Sequence, residues 1–113
     1  METIKTYSDA IQQILTEYAE YMSTDDLLQV ETLFDTKRHH YQIVVLGWQN
    51  NKRVYHNLIH LDIIDGQIWV QNNNTQFTFV EDFNRFNIPR KDVINGLIPA
   101  HRRQIDNLEM AQK

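Results

Sequence analysis

A change of hydrophobic period at residues 23–26 divides this chain into two kinds of structure. Ahead of it, Ile4, Tyr7, Ile11, Ile14, Leu15, Tyr18 and Met22 recur every three or four residues and fall on one face of a helix. Glu2, Lys5, Asp9, Gln12, Gln13, Glu17 and Glu20 mostly take the rest of the circumference. Ser23-Thr24-Asp25-Asp26 then ends the helix, because short polar side chains compete for backbone hydrogen bonds. Beyond it the period is two: Leu28, Val30, Thr32 and Phe34 alternate with Gln29, Glu31 and Asp35, as in a half-buried strand. A one-sided helix and a one-sided sheet in a chain of 113 residues bury their apolar faces against each other, so one domain over residues 1–113 is expected.

Polar breaks set out the rest of the sheet. Asp35-Thr36-Lys37-Arg38 separates the first strand from Tyr41-Gln42-Ile43-Val44-Val45-Leu46-Gly47-Trp48, whose nearly continuous apolar run suits a central strand. Gln49-Asn50-Asn51-Lys52 is a short loop, residues 53–64 a third strand, and Asp65-Gly66 a hairpin turn returning into a fourth strand over 67–72. Thr78-Phe79-Val80-Glu81 has the capping-box pattern, which predicts a short helix through Phe83 to Phe86. Pro89 then suits the first turn of a second short helix over 90–95, ended by Gly96, with Pro99 forcing an extended exit. The expected fold class is α+β: an N-terminal helix, a four-stranded antiparallel meander and two short C-terminal helices.

Unbroken pairing from the two turns assigns faces. The Asn50-Asn51 loop would pair Trp48 with Arg53, Leu46 with Tyr55, Tyr41 with His60 and His39 with Asp62; the Asp65-Gly66 turn would pair Asp62 with Trp69 and His60 with Gln71. One face then carries Val44, Leu46, Trp48, Tyr55, Ile59, Leu61, Ile63, Ile68 and Val70 and suits a core. The other mixes His39, Tyr41, Ile43, Val45, Val54, His56, Leu58, His60, Asp62, Trp69 and Gln71. Aromatics among scattered polar groups are enriched at protein interfaces. Tyr41, His56, His60, Asp62, Trp69 and Gln71 are therefore the candidate partner-binding residues, and cover by the C-terminal helices is the plainer alternative. His56 and His60 lie roughly 13 Å apart along one strand and cannot share an ion. His39, His60 and Asp62 converge in this register as a possible zinc or iron set, against the plainer reading of hydrogen-bonded strand histidines. No cofactor or resident metal is expected.

Other chemistry is poorly served. The absence of cysteine excludes disulfides and thiol chemistry, and Gly47, Gly66 and Gly96 are too scattered for a phosphate-binding loop. Neither Ser8 nor Ser23 lies in a nucleophile elbow, and Asp35, Asp62 and Glu81 have no lysine near them in a nuclease motif. Lys37-Arg38-His39-His40, Arg90-Lys91 and His101-Arg102-Arg103 are short basic groups balanced by Asp35, Asp92 or Asp106, and the formal net charge is −4. Direct DNA binding by the chain alone is not expected, since that affinity rests on neutralised phosphates. Met1-Glu2-Thr3-Ile4-Lys5 lacks the basic start and apolar core of a signal peptide, and Ile43-Val44-Val45-Leu46 is far too short to span a bilayer, so a cytoplasmic, membrane-free protein is expected.

Tyr41-Gln42 followed by Gly47-Trp48, then Arg53, His56, His60-Leu61-Asp62-Ile63, Asp65-Gly66 and Ile68-Trp69-Val70-Gln71, resemble the fdxN-element excision controlling factor (XisI-like) family. So do Ile88-Pro89-Arg90-Lys91-Asp92-Val93-Ile94 and the later Pro99 with Arg102 or Arg103. The resemblance implies a small cyanobacterial α+β protein named for a part in site-specific DNA excision, typically encoded beside a nuclease-like XisH-like protein. It brings no catalytic residues. The sequence departs from the family pattern at Asn73-Asn74-Thr75-Gln76, at Asn95-Gly96-Leu97 and at Gln104-Ile105-Asp106-Asn107-Leu108. The expected function is a non-enzymatic accessory factor that binds an XisH-like partner, self-associates or does both, and meets DNA through that partner. An inhibitor or antitoxin-like protein is the alternative, with a small metal-dependent enzyme behind it.

Overall fold

The computed structural model describes residues 2–22 and 27–102. The expected helix stop at 23–26 and the tail residues Gln104–Leu108 lie outside the described residues. The elements run α1 (Glu2–Met22), β1 (Leu28–Asp35), β2 (His40–Gln49), β3 (Lys52–Ile64), β4 (Gln67–Asn73), α2 (Val80–Arg85), a 3-10 turn (Arg90–Asp92), β5 (Val93–Asn95) and a second 3-10 turn (Ala100–Arg102). The strands form one sheet in the order β1-β2-β3-β4-β5. The first four are antiparallel, and β5 lies parallel to β4.

The α+β class holds, with two corrections in detail. The sheet has five strands and is mixed, and the second C-terminal helix expected over 90–95 is a single 3-10 turn followed by β5. Val93 and Ile94 are β-branched and helix-poor, and they find an open edge on β4: Val93 pairs with Ile68 and is buried there. The capping box also fails. Phe79 occupies the N-cap of α2 at φ 66 with no side-chain cap. Its ring is buried and packs against Phe83 and Tyr18, so aromatic burial holds a backbone conformation that a bulky residue rarely adopts.

Both short hairpins form as read. Asn50 and Asn51 have φ 52 and 64, Asp65 and Gly66 have φ 52 and 77, and paired positive φ values match the strand twist across two-residue loops. At the β1–β2 connection the Asp35 carboxylate accepts the backbone N–H groups of Lys37 and Arg38 at 3.0 and 2.9 Å. That hydrogen bonding lets His39 turn the chain at φ 63.

The core lies between α1 and one face of the sheet. Tyr7, Ala10, Ile11, Ile14, Leu15 and Ala19 bury against Tyr41, Ile43, Ile59, Leu61, Ile63, Ile68 and Val70. Phe79, Phe83, Ile88 and Val93 extend the same cluster, which puts α2 on the side of α1. Tyr18 stacks on Phe77 with ring centroids 4.3 Å apart and hydrogen-bonds Asp82, while Arg85 bridges to Glu17 at 2.8 Å. Tyr7 hydrogen-bonds Asp92; burial first, and that carboxylate second, push its phenol up to about 12, so it remains a donor. Among the described residues no helix is long and apolar enough to cross a membrane.

Candidate functional site

Two bulges decide which side chains share the uncovered face, the sheet face that no helix among the described residues covers. Val44 pairs with Asn57 but Ile43 pairs with Ile59, so Leu58 is an extra residue in β3. Leu61 pairs with Val70 but His60 pairs with Asn72, so Gln71 is an extra residue in β4. Beyond the first bulge every partner of β2 moves by one. Tyr41 sits opposite Leu61 rather than His60, and Asp62 sits opposite His40 rather than His39.

The expected mixed face therefore divides. Tyr41 is fully buried in the core, where its hydroxyl lies 2.6 Å from Ser8 Oγ and 2.9 Å from His39 Nδ1. His39 thus belongs with Tyr41 and not with Asp62. His56 pairs with Val45 and lines the groove beyond the end of α1 with Met22, Val30 and Val54. Tyr41, His39 and His56 are all on the helix-covered side, because the bulge reverses the parity of β3. His60, Asp62, Trp69 and Gln71 remain together on the opposite face. Val44, Leu46, Trp48 and Tyr55, expected in the core, stand on that opposite face too. There Leu33, Trp48, Tyr55 and Ile64 are 46%, 55%, 70% and 40% exposed. The Arg53 guanidinium lies 5.8 Å from the Trp48 ring centroid.

Asp62 is the polar centre of this face. Its residue is only 6% exposed, so an ionised carboxylate needs compensation. His40 Nδ1 and His60 Nε2 both donate to Oδ1, at 2.8 and 2.7 Å, and Gln71 Nε2 donates to Oδ2 at 3.2 Å. A carboxylate only accepts, so both rings carry a proton on these nitrogens. Burial would raise the Asp62 pKa, but the His40 and His60 hydrogen bonds, the His60 charge and the Gln71 bond outweigh it and hold the carboxyl below its ordinary value. His40 escaped the sequence reading, since no glycine or proline marks the Leu58 bulge. The available signal was the adjacent apolar pair Leu58-Ile59, where the alternation of β3 changes parity.

A depressed folded-state pKa means that the unfolded chain binds more protons in acid. The Asp62 contribution is then complete above the ordinary carboxylate value, about 3.9, and is lost as pH falls through the lower folded value. Asp62→Asn should cost about 1–3 kcal/mol at pH 7, with the gap to wild type closing below about pH 4. Urea midpoints of both proteins from pH 7 to pH 2 check this; a gap independent of pH would show that the charge contributes nothing.

The described residues form an α+β domain with helices on one sheet face and aromatic, aliphatic and histidine–aspartate groups on the other. The chain belongs to the XisI protein family, whose model matches residues 1–110. A crystal structure of a XisI-like protein from Anabaena variabilis ATCC 29413 is similar at 36% identity and TM-score 0.84, covering 90% of this chain and 94% of that one. A crystal structure of the fdxN element excision controlling factor XisI from the same organism is similar at 27% identity and TM-score 0.79, covering 93% of this chain and 96% of that one. No curated relative matches the chain.

Proposed function

We propose that this protein is a non-enzymatic controlling factor that docks through its uncovered sheet face onto a nuclease-like, XisH-like partner, and so influences site-specific DNA excision or a related DNA-processing reaction. The observation that supports this most is the exposure of large apolar side chains on one face, Leu33 and Ile64 toward the Asp62 end and Trp48 and Tyr55 toward the Asn50-Asn51 hairpin. Exposed aromatics of this kind are the usual anchors of protein interfaces, and the ring of polar groups around Asp62 would set orientation. The similarity to a protein named as an excision controlling factor supports the DNA-processing part. The net charge of −4 fits contact with DNA through the partner.

Co-expression with an XisH-like protein, followed by affinity purification and a nuclease assay with and without this chain, tests the reading. A stoichiometric complex with altered cleavage is expected. Increased cleavage marks an activating subunit and suppressed cleavage an inhibitor. A chain that elutes alone, or only as a complex with itself, overturns the partner assignment.

A further inference from the structure

We infer that His40, His60 and Asp62 form a binding site for one zinc-type dication on the uncovered face of the sheet. One potential ligand atom from each residue lies within 4.8 Å of the other two. The two nitrogen-to-Oδ1 distances, 2.8 and 2.7 Å, approach the roughly 3.3 Å separation of ligands around a tetrahedral ion with bonds near 2.0–2.1 Å. Small ring rotations about the existing arrangement therefore make room for an ion where the two N–H protons now point. An ion there takes the lone pairs of His40 Nδ1 and His60 Nε2, so the protons these nitrogens now direct at Asp62 move to the far ring nitrogens or are released.

The scaffold around these donors suits a metal. His40 and Asp62 are directly opposed on β2 and β3, and His60 is two residues from Asp62 on the same strand, so backbone pairing sets all three positions. Gln71, the extra residue of the β4 bulge, holds Oδ2 and leaves Oδ1 for the ion, the orienting role that outer-shell partners play. Two imidazoles and one carboxylate favour a borderline transition-metal ion over magnesium or calcium, which take oxygen sets. The His40 side chain is 51% exposed and that of His60 29%, so the site opens to solvent. Beside it runs an open groove of about 690 Å³, lined by Leu33, Asp35 and Gln42 as well as both histidines. Three protein ligands leave a fourth position facing outward for water or an incoming side chain. The assignment stands whether or not the face also binds a protein.

The test is zinc titration of the full-length, EDTA-dialysed protein against a chromophoric chelator, repeated with His40→Gln, His60→Gln, Gln71→Ala and His101→Gln. Wild type should take one zinc per chain with micromolar affinity. His40→Gln and His60→Gln should weaken it well beyond tenfold, and Gln71→Ala by about tenfold. His101→Gln, an exposed histidine in the second 3-10 turn, should leave it unchanged. Zinc should also raise the melting temperature of wild type but not of His40→Gln. Should His60→Gln fail to fold, the half-exposed His40 carries the comparison. No stoichiometric zinc on wild type, or equal affinity in wild type and His40→Gln, overturns the assignment.

Discussion

Gly47→Ala is expected to destabilise the protein by about 3–5 kcal/mol, seen as a lower urea midpoint at unchanged slope. Gly47 lies in β2 at φ 150, a conformation that is essentially confined to glycine. A Cβ there would stand 2.2 Å from the Leu27 carbonyl oxygen and 2.9 Å from Leu28 Cα. Both obstacles are backbone, so no rotamer change relieves them. The Trp48 N–H donates to the same Leu27 carbonyl at 3.2 Å, which ties the start of β1 to this point. Backbone strain of about 1–3 kcal/mol and overpacking of about 1–3 kcal/mol act together. Such a loss is a large part of a small domain's total stability. Gly66→Asn is the control: φ 77 is accessible to asparagine and nothing lies within 4 Å of the added Cβ. A Gly47→Ala midpoint within about 0.5 kcal/mol of wild type would mean that β1 does not approach β2 so closely.

Trp48→Ala should weaken association with an XisH-like partner about 30-fold or more while barely moving the urea midpoint. The side chain is large, aromatic and 55% exposed, so the free protein has little packing to lose, whereas a complex would bury the whole ring. A loss of about 2 kcal/mol, typical of an interface anchor, corresponds to that fold-change. Tyr41→Phe supplies the contrast. The hydroxyl bonded to Ser8 and His39 is interior, so this change should cost about 1 kcal/mol of stability and leave association intact. Isothermal titration calorimetry of the three proteins against the partner, with parallel denaturation, separates the two effects. Equal affinity of wild type and Trp48→Ala would remove the aromatic face from the interface.

Much of the architecture was legible because it rests on local patterns. The 3.6-residue repeat of α1 survives as the buried set Tyr7, Ile11, Ile14 and Leu15. The asparagine pair and Asp65-Gly66 form their hairpins because these residues tolerate positive φ, whatever packs around them. The site was legible only in part. His60, Asp62, Trp69 and Gln71 do share one face, and Asp62 pairs with Trp69 as the Asp65-Gly66 turn implies, but the β4 bulge sets His60 opposite Asn72 rather than Gln71. Tyr41, His39 and His56 were assigned across the longer Asn50-Asn51 hairpin, where one extra residue intervenes. A single bulge at Leu58 exchanged His40 for His39 and moved Tyr41 into the core. Sheet faces alternate strictly, so any register error transfers a whole strand segment to the other side.

The C-terminal third shows the same division. Proline and glycine correctly marked breaks at Pro89 and Gly96, but the conformation between them depended on a distant edge. Residues 93–95 are extended because β4 offers unpaired backbone groups and Ile68 offers a place to bury Val93. Periodicity and turn chemistry act within a few residues, and from them follow the helix, the strands of the meander and the two hairpins. Bulges, edge pairing and face assignment are settled by contacts between segments far apart in the chain. That is why the sequence contained the histidines and the aspartate, and only the packed sheet showed which of them meet.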